Sequence, residues 1–253
     1  MNASMPPEIS STTALLVLVV ARAIGLTWTA PTFSASGLEW RFRLVAGGLL
    51  GLILAPAVGA MGMQDVAWSV LARGLVGEAL IGAALGWSAS LVIAGAKQAG
   101  ELVGAQAGFA PAALFDPETH EEMTAFGHLY GLIALAAFIA LDGPLALVRA
   151  LMESFRIVPP GGGILTEAHA TLAFGRVGEA LALAVRAASP AALALVLAGV
   201  AVGLLGKAAP SLQLVAVAMP VRAVLGLLVV LLSLGTLALT FSDAWGRWPG
   251  VLP

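Results

Sequence analysis

The sequence predicts an all-α protein that crosses a membrane several times, and two observations carry this prediction. The mean hydropathy is +0.99, and of 253 residues 60% are hydrophobic while only 10% are charged. Uncharged runs close to the roughly 20 residues that a bilayer core demands lie at Leu44–Gln64, Ala79–Ala96, Ala187–Gly206 and Ala223–Ser242. A membrane β-barrel would show short alternating segments instead, so the pattern favours a polytopic protein made of helical hairpins.

One helical membrane domain is expected over residues 1–253, because no segment is polar enough for a separate soluble domain. A Pro/Gly-rich breaker at 159–163 divides the chain into approximate halves, 1–160 and 161–253. The formal net charge is −2, and the twelve Lys and Arg are scattered singly, so no basic cluster indicates a nucleic acid partner. The absence of cysteine excludes disulfides and cysteine metal sites.

Helices are predicted in the first half at Thr12–Ala30, Leu44–Gln64, Asp65–Ala96 with an extension to Gly108, and Met123–Phe155. Pro31 ends the first helix before a turn-like segment, Thr32–Gly37. Pro56 is expected to kink the second helix, because proline removes a backbone hydrogen bond. Asp65 is a candidate N-cap for the third, and Asp142–Pro144 interrupts the fourth.

The second half predicts an amphipathic helix and a final hairpin. Arg176, Glu179 and Arg186 share one face of the helix Thr171–Ala188. The hairpin joins Ala187–Gly206 to Leu212–Phe241. Trp245 and Trp248 follow it as expected anchors at the membrane surface.

Several charges lie inside or at the ends of these apolar helices. A charge at the centre of a lipid-facing helix costs about 2.5–3.5 kcal/mol, so we expect these side chains to be buried or to face another subunit. The set is Arg22, Arg73, Glu78, Lys97, Glu101, Lys207 and Arg222. Arg73 and Glu78 are turned onto different faces of one helix, so each is expected to pair with another helix or subunit.

Thirty glycines need an explanation in a helical chain, because each weakens a helix by about 0.8–1 kcal/mol against alanine. Several lie four residues apart, which lets a second helix approach closely; these are Gly82 and Gly86, Gly199 and Gly203, and the run Gly100, Gly104 and Gly108. We predict helix packing there, with Lys97 and Glu101 near the same face and able to pair. The alternative is glycine tolerated in lipid with no partner helix.

Residues 109–122 break the helical pattern. Pro111 and Pro117 prevent helix continuation, yet Phe109, Leu114 and Phe115 are apolar for an exposed loop. Acidic residues then cluster at Asp116, Glu118, Glu121 and Glu122. From the residues alone, this segment is equally well a re-entrant loop that is buried to hide its backbone or a functional constriction.

Short motifs in a specific order carry a resemblance to a known family. They are Arg22–Gly25, Ala30–Ser34, Arg41–Arg43, Leu54–Pro56, Glu78–Gly82 with Gly86, Gln98–Glu101 with Gln106 and Gly108, Asp116–Pro117, Ser154–Phe155 with Pro159, Gly203–Pro210, Leu212–Leu214 and Met219–Arg222. Together they resemble the FliR family of flagellar biosynthetic proteins and its SctT counterparts in type III secretion. Asp142–Pro144 departs from the Asn-Gly-His common in that family, so no role of that histidine is carried over.

The resemblance implies a non-enzymatic subunit of the protein export gate in the bacterial inner membrane, at the flagellar basal body. It implies partnership with FliP-like and FliQ-like subunits, a FlhB-like subunit and unfolded export substrates, with no cofactor. It also implies that the loop after the third helical region projects into the pore and plugs it. Here that loop comprises Phe109, Ala110, Pro111, Leu114, Phe115, Asp116 and Pro117.

Three alternatives remain. The homologous subunit of a virulence type III system would share these motifs. A small-solute secondary transporter would use the breaks at Pro56 and Asp142–Pro144 for a midplane site, but no internal repeat is visible. A membrane hydrolase would use Glu121 or Glu122, but no nucleophile or water-activating group accompanies them. His120 lacks a second histidine at ligand spacing, so no metal site is predicted.

Overall fold

The computed structural model describes residues 11–34, 39–59, 68–108, 124–161, 167–208 and 214–247. All eight elements in these ranges are helices: α1 Ser11–Thr29, α2 Pro31–Ser34, α3 Trp40–Gly59, α4 Trp68–Gln106, α5 Ala125–Ala140, α6 Gly143–Ile157, α7 Glu167–Ala208 and α8 Leu214–Arg247. Five segments are long and apolar enough to cross a membrane, or six if α5 and α6 together form one span. The predicted all-α, polytopic membrane fold is therefore confirmed.

The predicted turn after the first helix is corrected by the structure. Pro31–Ser34 forms a short helix where a turn was expected, because Pro31 is well suited to the first helical position; residues 35–38 lie outside the description. Pro56 falls inside α3, as the sequence predicts, and the expected kink stays a prediction. The candidate N-cap Asp65 also lies outside the described residues.

The amphipathic segment and the first arm of the final hairpin form one helix, α7, of 42 residues. Pro190 lies inside it, and its ring nitrogen cannot donate to the carbonyl of Arg186 one turn earlier. The Ser189 hydroxyl donates to that carbonyl instead, at 3.1 Å. A side chain that satisfies the freed carbonyl explains why the proline does not interrupt the helix.

The described helices pack as two compact units. The first contains α1, α2, α3, α4 up to Leu91, α6 and the start of α7 up to Arg176. Its core surrounds α1, where Leu18, Val19 and Ala23 are almost completely buried. The predicted division of the chain at 159–163 stays a prediction.

The second unit contains α4 from Val92, α5, α7 from Val177 and α8. Trp245 of α8 is 5% exposed, packs on the Phe138 ring with centroids 4.4 Å apart, and donates its indole N–H to the Ala134 carbonyl at 3.0 Å. The expectation that Trp245 anchors at the membrane surface is wrong, because α8 continues past Ser242 and carries this indole into the core. Trp248 lies outside the described residues.

Close helix contacts in the first unit depend on glycine. A β-carbon added at Gly82 of α4 would lie 1.8 Å from the carbonyl oxygen of Arg22 in α1, and one at Gly25 would lie 2.1 Å from that of Ala79. On the other side of α1, Gly51 of α3 approaches the Val20 backbone in the same way. A β-carbon added to Gly51 would lie 2.6 Å from the Cα of Val20. Helix α1 is therefore held between two helices at backbone contact.

We predict opposite effects for two helical glycines. Gly82→Ala should destabilise the protein by roughly 1–3 kcal/mol, because backbone must move to admit the methyl group. Gly48→Ala should be neutral or stabilising by up to about 0.8–1 kcal/mol, since its β-carbon would meet nothing within 4 Å in the described chain. Equilibrium unfolding in detergent measures both, and equal effects would contradict the close packing of α1 on α4.

Candidate functional site

A buried polar cluster lies where α1, α4 and the end of α6 meet. Arg22 of α1 and Glu78 of α4 are both 0% exposed, and the Arg22 Nε donates to Glu78 Oε2 in an ion pair. The close approach of the two helices at Gly82 brings these side chains together, because the glycine lies one turn after Glu78 and contacts Arg22 itself.

Both terminal nitrogens of the Arg22 guanidinium donate to the end of α6. Its Nη1 donates to the Ser154 hydroxyl and its Nη2 to the Val158 carbonyl, each at 3.0 Å. The guanidinium also lies over the Phe155 ring, 4.1 Å from its centroid, a cation–π contact that desolvation strengthens. The planar five-donor fork of arginine suits this number of simultaneous partners.

Glu78 binds the turn that follows α6. Its Oε1 accepts the backbone N–H of Gly161 at 2.9 Å, and Gly161 has a φ of 86°, which glycine adopts without a steric penalty. One ion pair therefore fixes two transmembrane helices and the turn leading towards α7. Truncating one partner of such a pair leaves an uncompensated buried charge, at a cost of about 3–5 kcal/mol.

A second polar contact lies in the other unit, directly after the segment 109–123. The Glu101 Oε1 of α4 accepts the Thr124 N–H at 2.7 Å and its hydroxyl at 3.2 Å. Thr124 is the N-cap of α5, and its hydroxyl oxygen accepts the Gly127 N–H. At the other end, Gly108 follows α4 with a φ of 87°. The residues on either side of the segment 109–123, which contains the predicted plug, are therefore a helix-ending glycine and a hydrogen-bonded N-cap.

Two glycines of the predicted run bring α4 and α5 together around this contact. A β-carbon at Gly100 would lie 2.3 Å from the Phe126 carbonyl oxygen, and one at Gly104 would lie 2.6 Å from the Thr124 hydroxyl oxygen. Gly108 departs from the helix-packing prediction, because its β-carbon position meets nothing within 4 Å in the described chain and its backbone ends the helix. The pairing of Lys97 with Glu101 is likewise absent among the described residues, because Glu101 binds Thr124 instead.

The other predicted residues are placed as follows. Gly86 packs on α1, where a β-carbon added to this glycine would lie 2.5 Å from the Leu26 carbonyl oxygen. Gly199 contacts the half-buried Arg222; a β-carbon added to Gly199 would lie 3.4 Å from the Arg222 Nη2. Gly203 meets no atom within 4 Å in the described chain, and Lys207 is exposed. The loop residues 109–117 and the Arg73 side chain lie outside the description, so their roles stay predictions.

Several partners were missed by the sequence reasoning. Ser154, Val158 and Gly161 are 83 to 136 residues distant from the charges they bind, and no local pattern marks them. Gly47 and Gly51 pack on α1, and their four-residue spacing could have identified them. Thr124 directly before an apolar run is an N-cap signature that could also have been recognised.

The helices and their buried ion pair define a multi-pass helical membrane protein. The chain belongs to the family of bacterial export proteins, family 1, whose pattern matches residues 13–248. It is therefore a component of a bacterial protein export apparatus in the inner membrane, and the resemblance found from its motifs is confirmed.

Named relatives cover most of the chain. Flagellar biosynthetic protein FliR of Pectobacterium carotovorum subsp. carotovorum is 31% identical over 210 residues, which cover 82% of this chain and 79% of the relative. FliR of Escherichia coli (strain K12) is 31% identical over 209 residues, covering 81% and 78%. Secretion system apparatus protein SsaT of Salmonella typhimurium is 28% identical over 171 residues, covering 67% and 65%.

We predict that Glu78→Gln destabilises the protein by about 3–5 kcal/mol, because it leaves the buried Arg22 charge uncompensated. The matched control is Glu153→Gln, which breaks the exposed pair with Arg156 and should cost no more than about 1 kcal/mol. Thermal unfolding of the detergent-solubilised protein compares the two. Equal losses would show that the Arg22–Glu78 pair does not stabilise the fold.

Proposed function

We propose that this chain is a subunit of the flagellar type III protein export gate, which assembles with FliP and FliQ and helps to form and close the pore through which flagellar proteins are secreted. The observation that carries the proposal is the similarity to FliR proteins over about four fifths of the chain. The alternative is the corresponding subunit of a virulence system, which the similarity to SsaT supports over a shorter part of the chain.

Assembly with other subunits is supported by how little of the spans this chain buries by itself. In an apolar 18-residue window of Trp40–Gly59 and of Pro220–Gly246, 22% of the residues are buried, and in that of Val177–Ala201 33% are. Five glycines on α7 and α8 have β-carbon positions that meet nothing within 4 Å in the described chain, and these positions allow close approach by another helix: Gly175, Gly178, Gly203, Gly235 and Gly246. Small residues are enriched where membrane helices pack, and FliP-like, FliQ-like and FlhB-like subunits are the partners we propose.

A plug formed by residues 109–117 is supported by the described residues on either side of the longer segment 109–123. Gly108 ends α4, and Glu101 of α4 binds Thr124, the N-cap of α5. Phe109, Leu114 and Phe115 supply the apolar side chains of a constriction. Hydrophobic constrictions close pores by excluding water, so such a plug needs no source of energy in this chain.

One experiment tests assembly and plugging in turn. The chain carries an affinity tag and is co-expressed with the FliP-like and FliQ-like subunits of the same genome, and the purified material is analysed by native mass spectrometry. We expect a defined complex that contains all three proteins. A stable monomer in detergent, with neither partner bound, would contradict the subunit assignment.

The assembled complex is then placed in planar bilayers with Phe109, Leu114 and Phe115 all replaced by Ser. We expect a higher resting ion conductance, because hydroxyl groups favour the water that the apolar side chains exclude. The matched control replaces Ala110, Ala112 and Ala113 of the same loop by Ser, which leaves the three large side chains in place. Unchanged conductance of the first variant in an intact complex would remove the plug.

A further inference from the structure

Within the residues that the structure describes, the chain passes between its two compact units at three places. The first lies inside α4 between Leu91 and Val92, the second at Asp142 between α5 and α6, and the third inside α7 between Arg176 and Val177. We call these places the three crossings. Any movement of one unit against the other must be absorbed by the backbone there, because every other described helix lies within one unit.

The crossings of α4 and α7 lie side by side. Gly95 of α4 and Ala180 of α7 each follow their crossing by three residues and belong to the second unit. A β-carbon added to Gly95 would lie 2.6 Å from the Ala180 carbonyl oxygen. Because the two helices are in backbone contact directly after they enter the second unit, they enter it at the same level. A bend in both helices at this level would therefore carry that contact along unchanged.

Helix α4 is attached to a different unit on either side of its crossing. Before the crossing, Gly82 and Gly86 bring it into backbone contact with α1. After the crossing, Gly100 brings it into backbone contact with α5. The two parts of this long helix therefore follow the units to which they are attached.

Two serines lie between these contacts, next to the crossing of α4. The Ser88 hydroxyl donates to the Leu85 carbonyl at 2.7 Å, and the Ser90 hydroxyl donates to the Trp87 carbonyl at 2.8 Å. Side-chain bonds of this kind to the preceding turn compete with the backbone bonds of a helix and often bend it. The crossing of α4 is therefore a place where this helix bends more easily than elsewhere.

Glycines flank the crossing of α7. Gly175 precedes it, Gly178 follows it, and a β-carbon added at either would meet nothing within 4 Å in the described chain. No close approach of another described helix therefore explains these two glycines. Glycine has a freer backbone than any other residue and weakens a helix. Helix α7 is thus least rigid where it passes from one unit to the other.

The second crossing has a backbone conformation of its own. Among the described residues, Asp142 is the only one other than glycine with a positive φ, and its φ of 54° and ψ of 35° are left-handed. Its exposed side chain makes no capping hydrogen bond to α6. Residues in sparsely populated backbone regions cluster at switch regions of proteins. The chain therefore leaves the helical conformation at the residue where it changes units.

We propose that the three crossings form a hinge about which the two units of this chain move relative to each other. Each crossing has a feature that eases bending of the backbone, and the three features are different: serine side-chain bonds, flanking glycines and a left-handed residue. Hinges in proteins are a few residues that absorb large changes of φ and ψ. This inference goes beyond the proposed function, because it concerns a movement within this chain alone.

The chain has no cysteine, so pairs of introduced cysteines can carry nitroxide labels without interference. Ile53→Cys with Leu232→Cys places one label on each unit. Ile53→Cys with Leu145→Cys labels the first unit alone, and Leu132→Cys with Leu232→Cys labels the second unit alone. All four side chains are exposed. Double electron–electron resonance on the full chain in lipid nanodiscs gives the distance distribution of each pair.

We expect the distribution between the units to be at least about twice as wide as either distribution within a unit, because a hinge populates several arrangements. Gly175→Ala combined with Gly178→Ala should narrow it by roughly half, since alanine holds the helical backbone more firmly than glycine does. Asp142→Gly should widen it, since glycine adopts more backbone conformations than aspartate. The matched control is Gly203→Ala combined with Gly235→Ala, which lies inside the second unit and should change nothing.

Three results would overturn the inference. A distribution between the units that is as narrow as those within them would show that the two units form one rigid body. Equal effects of the two double-alanine variants would show that the crossing of α7 is not special. An unchanged distribution in Asp142→Gly would remove this residue from the hinge. The pairs within each unit report whether every variant is folded, and the chain is measured without partner subunits, so a failure to assemble bears on the proposed function alone.

Discussion

Arg22 and Glu78 are fully buried inside the first compact unit, where neither water nor a lipid headgroup can offset a net charge. Each depends on the other for neutrality, and both depend on the end of α6 for the rest of their hydrogen bonds. Burying such groups is tolerable only when every donor and acceptor is matched. The positions of α1, α4 and the turn at Gly161 are therefore set together.

Glycine makes this arrangement sterically possible. The guanidinium reaches Glu78 because Gly82 and Gly25 let the backbones of α1 and α4 touch. The same device recurs in the second unit, where Gly100 and Gly104 admit the start of α5 and allow Glu101 to bind Thr124. In both places a carboxylate of α4 fixes the backbone of a residue next to a break between helices. Helix α4 thus fixes the described backbone beside two breaks between helices.

The fold could be predicted from the sequence because long uncharged runs and proline or glycine breaks are local signals. Those signals did not show that the predicted helix Thr171–Ala188 and the hairpin arm Ala187–Gly206 form one helix, in which Ser189 donates to the carbonyl that Pro190 leaves free. They also failed for Trp245, whose burial depends on Phe138 in another helix. The charge of Arg22 inside an apolar helix indicated a partner, but Glu78 lies 56 residues away, and Ser154 even farther. Spacing alone carries no information about such pairings.

A double-mutant cycle between Arg22 and Glu78 tests the central claim most directly. The unfolding free energy is measured in detergent for the wild type, Arg22→Met, Glu78→Leu and the double variant. If the pair holds the unit together, each single variant leaves a buried charge, and the double variant is more stable than the sum of the single losses predicts, by about 2–3 kcal/mol. Losses that add to within about 0.5 kcal/mol would mean that the two charges act independently and would contradict the account.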